Sequence, residues 1–288
     1  MPGDHAAVSI LNMLGADELA SVVHHILPTN LFQYKSACAA FARSAAGRTQ
    51  TRVCSMCESI ELLQWARRTG CPWNEKTCAS VALLGHLEVL QWVRQQNLPW
   101  DRDTCAAAAV GGHLEVLQWA RQQKCPWDSS TCASAAAGGH VDLLRWSYNN
   151  GCPWDVWASR SAASGNHFEV LRWVHALGGP WDELTSACAA ATGNLEMLKW
   201  AKSRGCPWDH QTCASAARHG HLHVLQWARD NGCPWGRRTC ANAAIGGHLD
   251  VLIYARQGGC PWDGRVCENA VIYEHWELLR WAQENGAV

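Results

Sequence analysis

Between positions 71 and 286 a single 27-residue unit is written eight times without insertion or deletion; CPWDSSTCASAAAGGHVDLLRWSYNNG, residues 125–151, typifies it. A Pro-Trp pair closes on Trp73, Trp100, Trp127, Trp154, Trp181, Trp208, Trp235 and Trp262. A second column, Trp65, Trp92, Trp119, Trp146, Trp173, Trp200, Trp227 and Trp281, keeps the same step and is broken only by Tyr254. Periods of this length belong to chains in which one supersecondary unit buries its apolar face on the next copy, so the expected fold is a solenoid. The regularity also limits where function can live. A catalytic centre needs one nucleophile and one base in one place, whereas a residue recurring at every copy serves something every copy needs. The chain is therefore expected to be no enzyme, and its specificity to reside in the residues that break the pattern.

Each copy reads as two antiparallel helices. After Pro-Trp comes an acid, as in Asp101, Asp128, Asp155, Asp182, Asp209 and Asp263, placed to accept the free amides of a helix's first turn. The short helix that follows, TCASAAA at 131–137, is built of small side chains that let neighbouring helices approach closely. Gly138 and Gly139 stop it, because glycine can take the left-handed conformation that closes a helix. A second helix starts at His140 and runs through VDLLRWSYNN to Gly151. Acids in its first turn (Glu61, Glu88, Glu115, Asp142, Glu169, Glu196, Asp250 and Glu277) meet the positive end of the helix dipole; His223 is the departure. Arg145, Arg172, Lys199 and Arg280, three residues on, can pair with those acids.

With 24 Lys plus Arg against 25 Asp plus Glu, the net charge of −1 creates no field to gather nucleic acid or an anionic membrane. A column of cations two residues past the second-helix Trp, Arg67, Arg94, Arg121, Lys202, Arg229 and Arg256, predicts a stripe with about 10 Å between copies. Nucleic-acid binding along it is the alternative function, weakened by the lack of a net cation excess. No apolar run reaches the roughly 18 residues of a membrane span, and MPGDHAAVSILNML lacks the basic start and long apolar stretch of a secretory signal. A monomer of the cytoplasm or nucleus is expected.

Thirteen of the 16 cysteines lie in the repeats, mostly in two columns. One is Cys71, Cys125, Cys152, Cys206, Cys233 and Cys260, with Leu98 and Gly179 in the same slot; the other is Cys78, Cys105, Cys132, Cys213, Cys240 and Cys267, with Ser159 and Ser186 as exceptions. Replacement by Leu, Gly or Ser is what a small buried site tolerates and what a disulfide or a metal ligand does not, so reduced thiols and no cofactor are expected. His86, His113, His140, His167, His221, His248 and His275 share a slot with Asn194 and Ser59, which reads as a helix-capping position. Zinc at the recurring Cys and His would need four ligands of matching geometry, and the Asn and Ser exceptions would break such sites at random. Cys54 and Cys57 form a lone C-x-x-C that aligns with Val81 and Leu84, a core reading set against a redox one. The tryptophan columns are expected to seal the joints between copies, since burying an indole removes roughly 150–250 Å² from water. Base stacking would instead need them exposed in a basic groove.

These residues resemble the ankyrin repeat, whose two helices centre on an alanine-rich stretch and a Gly-His-Leu-Glu-Val-Val signature. TCASAAAGGHVDLL at 131–144, GHLEVLQW at 85–92 and 112–119, GNLEMLKW at 193–200 and GGHLDVL at 246–252 carry the likeness, which covers about three quarters of the chain. The usual unit of that family is longer, and the missing residues fall after Trp-Asp, where its projecting hairpin would be. The resemblance thus implies an all-α, ankyrin-like helical-repeat solenoid of about nine helix pairs with hairpins absent or rudimentary, and a protein-binding function.

The first 47 residues differ. Asp17-Glu18-Leu19 opens a run with Val22, Val23, Ile26 and Leu27 at helical spacing, Pro28 breaks it, and Leu31, Tyr34, Cys38 and Phe41 resume it. This resembles an F-box, whose family docks on the Skp1 adaptor of a cullin ubiquitin ligase. The resemblance would make Leu19, Val22, Ile26, Leu27, Pro28, Leu31, Cys38 and Phe41 an adaptor-docking face and the chain a substrate receptor. The other reading is a helical cap shielding the first repeat. Three regions are expected: the F-box-like segment or cap at 1–47, a degenerate first repeat at 48–70, and eight repeats at 71–286.

Specificity should sit where the copies disagree. The two residues after Trp-Asp change at every copy: Glu75 and Lys76, Arg102 and Asp103, Ser129 and Ser130, Val156 and Trp157, Glu183 and Leu184, His210 and Gln211, Arg237 and Arg238, Gly264 and Arg265. Val156, Trp157 and Leu184 are apolar in a slot otherwise polar, and Arg160 replaces a column that is mostly alanine. Aromatic and Arg side chains tend to anchor interfaces. The expected binding centre runs from Val156 to Leu184 with Glu183, His210 and Gln211 beside it, and Arg218, His219, Arg237 and Arg238 form a basic flank.

Overall fold

The computed structural model describes residue 57, residues 59–68 and residues 73–287, and among them it contains seventeen helices and no strand. The chain divides into two compact units, Met1–Pro153 and Trp154–Val288. The first holds α1 (Ile60–Arg68), α2 (Glu75–Leu84), α3 (Leu87–Gln95), α4 (Arg102–Val110), α5 (Leu114–Gln122), α6 (Ser129–Ala137) and α7 (Val141–Asn149). The second holds α8 (Val156–Ser164), α9 (Phe168–Ala176), α10 (Glu183–Ala191), α11 (Leu195–Ser203), α12 (His210–Arg218), α13 (Leu222–Asp230), α14 (Arg237–Gly246), α15 (Leu249–Gln257), α16 (Arg265–Ile272) and α17 (Trp276–Glu284). Within the first unit α2, α4 and α6 pack side by side; within the second, α8, α10, α12, α14 and α16 do the same, and second helices lean on their own first helices. The all-helical repeat architecture expected from the sequence is thus present, and six-residue connections such as residues 96–101 stand where hairpins were expected to be missing.

Small side chains make the close packing possible. In α4 every residue from Thr104 to Ala109 is buried, and the equivalent stretch of α6 is buried as well. Seven of the second helices insert a fully buried leucine at the same position: Leu90, Leu117 and Leu144 in the first unit, Leu171, Leu198, Leu225 and Leu252 in the second. Each such leucine contributes roughly 1.5–3 kcal/mol of gross burial energy. The aspartates cap as expected: Asp101, Asp128, Asp155 and Asp209 accept the amides of Asp103, Ser130, Trp157 and Gln211 at 2.8–3.0 Å. This cap starts α6 at Ser129, two residues before the helix read from sequence. Of the two glycines that close it, Gly139 alone is left-handed (φ +75°), and Gly138 stays in the right-handed region.

The histidine column does not cap its own helix, contrary to expectation. Nε2 of His113, His140, His221 and His275 lies 2.9–3.1 Å from the backbone carbonyl of Leu83, Val110, Ala191 and Ile245, thirty residues back. Each ring therefore satisfies a carbonyl near the C-terminal end of the preceding copy's first helix, which has no partner within that helix. The other edge of the ring covers a left-handed glycine of the same preceding copy. A Cβ on Gly85, Gly112, Gly193, Gly220 or Gly247 would fall 2.3–2.7 Å from the ring of His113, His140, His221, His248 or His275. Only the exceptions cap: Asn194 Oδ1 accepts the amide of Met197 at 2.9 Å, and Ser59 Oγ that of Leu62 at 3.3 Å. In the last copy the glycine slot is filled by Glu274, itself left-handed (φ +60°).

The two cysteine columns tie successive connections together. Thiols of Cys125, Cys152, Cys206, Cys233 and Cys260 donate to the carbonyls of Asp101, Asp128, Asp182, Asp209 and Gly236 at 3.3–3.5 Å. In the other column Cys78 donates to Pro99 at 3.4 Å, and the exceptions Ser159 and Ser186 make the same bond to Pro180 and Pro207 at 2.7 Å. Serine replaces cysteine there because it keeps the donor at similar size. Burial pushes the Cys78 thiol up to about 12, so it is protonated in the fold.

The described tryptophans of the two columns are half-buried rather than sealed in the core. In every described copy the Pro-Trp ring meets the second-helix aromatic edge to face, from Trp73 on Trp92 to Trp262 on Trp281, with centroids 5.7–6.1 Å apart; Tyr254 substitutes against Trp235. The exposed face of the Pro-Trp ring is then covered by a cation. Arg94, Arg121, Lys202, Arg229 and Arg256 lie 4.1 Å from the centroids of Trp100, Trp127, Trp208, Trp235 and Trp262. Where the cation is absent, His175 stacks on Trp181 at 4.0 Å. Edge-to-face pairing contributes about 0.5–1.5 kcal/mol and a partly exposed cation–π contact about 0.5–1 kcal/mol beyond area burial.

Candidate functional site

With the columns absorbed into the scaffold, the variable residues of the second unit stand out. Val156 and Trp157 open α8, Glu183 and Leu184 open α10, His210 and Gln211 open α12, and Arg237 and Arg238 open α14. Because the first helices pack side by side and each pair fills the same two positions after its cap, these residues form one row across the helix N-termini. Trp157 is 38% exposed, a large value for an indole in this chain. Leu184 is half-buried beside Glu183, which is exposed.

Arg160, expected as a contact residue, works underneath the row. Its guanidinium sits 4.7 Å from the Trp157 ring centroid and grips Asp182 with both ends, Nε to Oδ1 at 3.0 Å and Nη2 to Oδ2. The pairing holds the Asp182 carboxyl below its ordinary range and raises the guanidinium further. Asp182 also accepts the amide of Thr185 at 3.3 Å as the cap of α10. One carboxylate thus fixes the start of α10 and, through Arg160, the platform beneath Trp157.

The basic flank expected from sequence divides. Arg237 and Arg238 are exposed at the start of α14, whereas Arg218 is the last residue of α12 and His219 its C-cap. A nine-residue helix separates its ends by about 13 Å, so Arg218 and His219 lie off the row. They sit instead with His221 and His223, rings spaced 6.3 and 6.2 Å in sequence order. Each ring of this trio faces a backbone carbonyl: Ser215 for His219, Ala191 for His221, Gly193 for His223. Burial lowers the His221 pKa, opposed by the bond to Ala191. Among the described residues no group of three or more His, Cys, Asp or Glu stands together as metal ligands would, and no helix is long and apolar enough to cross a membrane.

In the cation stripe Arg94, Arg121, Arg229 and Arg256 are half-buried, while Arg67 and Lys202 are exposed. Besides covering indoles, Arg229 donates to the Cys233 carbonyl at 2.6 Å and Arg256 to that of Cys260 at 3.1 Å. Two of the expected acid–base pairs on second helices form, Glu169–Arg172 at 3.3 Å and Glu196–Lys199 at 3.0 Å, both exposed. Leu19, Val22, Ile26, Leu27, Pro28, Leu31, Cys38 and Phe41, read as an adaptor-docking face, lie outside the described residues, as does Cys54. Cys57 is buried, 5% exposed. A separate exposed apolar cluster, Val271, Ile272, Tyr273 and Trp276, marks the α16–α17 turn.

The fold defines an all-helical repeat protein. No protein-family model and no curated protein matches the chain. Among solved structures it is similar to the human ASB11 ankyrin repeat domain, with 16% identity and a TM-score of 0.44 over 55% of this chain and 84% of that one.

Proposed function

We propose that the chain is a non-catalytic scaffold that binds a partner protein through the variable first-helix row of its second unit. The observation that carries this reading is the exposed Trp157 held on an Arg160–Asp182 support, with Leu184 in the same slot one helix along. The described aromatics of the two recurring columns are engaged in joints, whereas this indole stands in a slot that is polar or charged in every copy but its own and the next, where it is Leu184. A rigid, partly exposed aromatic over a fixed cation is a low-entropy anchor of the kind interfaces use. Affinity purification with the wild-type chain and with Trp157→Ser/Leu184→Ser tests it. Proteins that the wild type retains and the folded variant loses support the row; equal retention by both refutes it.

The finer role, substrate receptor of a ubiquitin ligase, rests on the F-box-like residues alone. Binding of purified Skp1 to the full chain, lost on Leu27→Ala/Pro28→Ala, supports it; no Skp1 binding sinks it and leaves the scaffold reading standing.

A further inference from the structure

Resting on that reading, we infer that the row of the second unit takes an extended protein segment in which an apolar anchor is followed by acidic residues about six to nine positions away. The row is chemically polarised. At the α8–α10 end it presents Val156, Trp157 and Leu184. At the α14–α16 end it presents Arg237, Arg238 and Arg265, all exposed, and Arg237 and Arg265 have 65% and 53% of their side chains open to solvent. Asp263 is shared between Arg265 at 2.7 Å and Arg237 at 3.9 Å, while no described carboxylate ion-pairs with Arg238. The cap that supplies a carboxylate to the other copies is Gly236 here, so this turn lacks the acid that Asp155, Asp182 and Asp209 provide elsewhere in the row. Glu268, further along α16, balances only part of the charge. Three guanidinium groups against two carboxylates leave a local positive excess at one end of a row whose other end is apolar.

The spacing follows from packing. Side-by-side helices stand 8–10 Å apart, so α10 to α14 is about 20 Å and α8 to α14 about 30 Å. An extended chain advances about 3.3 Å per residue, which gives roughly six residues from the Leu184 level to Arg237 and Arg238 and nine from the Trp157 level. A segment with its apolar anchor on Trp157 and Leu184 brings its acids over Arg237 and Arg238 only at that separation, and Arg265, one helix further, lies about three residues beyond. Complementary charge would add selectivity and a salt-dependent association rate.

Panning a random 16-residue displayed-peptide library on the full chain tests this. Expected are enriched peptides with an aromatic or aliphatic anchor and two or more Asp or Glu at about six to nine residues' distance. A synthetic consensus peptide should bind about tenfold more weakly to Trp157→Ser and to Arg237→Glu/Arg238→Glu, and its acid-to-Lys version should bind the arginine-reversed chain better than the wild type. All three substituted positions are exposed, and thermal melts establish that the variants fold. Enriched peptides that depend on Trp157 but show no acidic residues, or that are indifferent to Arg237→Glu/Arg238→Glu, overturn the inference and leave the scaffold reading intact. Failure to enrich any peptide also overturns it, and the purification experiment above then decides whether a folded surface is the partner.

Discussion

Asn194 donates its side-chain amide to the side-chain oxygen of Asn166 at 2.7 Å, 28 residues back, across the joint between two successive copies. Asn166 occupies the left-handed slot that is glycine in most copies, and Asn194 the slot that is histidine. The two exceptions belong together. A side chain in the glycine slot leaves no room for the next ring, and a shorter amide both fits and bonds to it.

That relationship predicts a coupled pair. Asn194→His alone should destabilise the second unit by about 1–3 kcal/mol, through collision with the Asn166 side chain. Asn166→Gly/Asn194→His should recover most of that loss by recreating the common joint. Urea denaturation in a double-mutant cycle reads the coupling, expected at about 1 kcal/mol or more; simple additivity would refute the joint as described.

The cation column is predicted to stabilise joints. Arg229→Gln removes a cation 4.1 Å from the Trp235 centroid and a bond to the Cys233 carbonyl, and should cost about 1–2 kcal/mol. Arg172→Gln, which breaks an exposed pair with Glu169, should cost less than about 0.5 kcal/mol. Equal losses would mean that the first guanidinium is only a surface charge.

Cys78 discriminates a packing role from a bonding one. Cys78→Ser keeps a donor to the Pro99 carbonyl, as Ser159 and Ser186 do for Pro180 and Pro207, and should change stability by less than about 1 kcal/mol. Cys78→Ala strips that carbonyl of its partner and should cost about 1–3 kcal/mol. With its thiol pushed up to about 12, Cys78 should also resist alkylation at pH 8 until the chain is unfolded.

Acidification should loosen both units. Burial is the leading cause that lowers the His113 and His221 pKa values below the ordinary 6.5. The unfolded chain then binds more protons in the window beneath 6.5, so stability is fully present above that value and declines as pH falls towards the folded values. A urea midpoint that drops between pH 7.5 and 5.5 meets this expectation; a flat or rising midpoint contradicts it. His221→Asn should flatten the slope.

The sequence displayed the helices plainly because each copy repeats the same local instructions: an aspartate whose carboxylate takes the first free amides, a run of small residues, and a leucine at helical spacing. The joints were less legible, since their partners lie far apart in the chain. Nothing next to His113 announces the Leu83 carbonyl thirty residues earlier, and a histidine before a helix reads locally as a cap. The clue available was the paired exception at positions 166 and 194. The cation column was visible, but its six-residue offset from the Pro-Trp column was what mattered, because that offset folds the guanidinium onto the ring. Charge alone groups Arg218 and His219 with Arg237 and Arg238, and helix polarity separates them. Arg160 announced itself by breaking an alanine column, but Asp182 as its partner required three dimensions.

Glu274 is left-handed in the slot that glycine fills in most described copies, and it puts a side chain where those copies seat the following histidine ring. Wherever glycine holds that position the following ring has a seat, so a histidine-bearing copy could be spliced into the series ahead of it and find its place. Behind it the seat is taken by a carboxylate side chain. A helix pair placed behind Glu274 would meet the situation that Asn166 creates, calling for a short amide such as Asn194 unless Glu274→Gly restored the seat for a histidine.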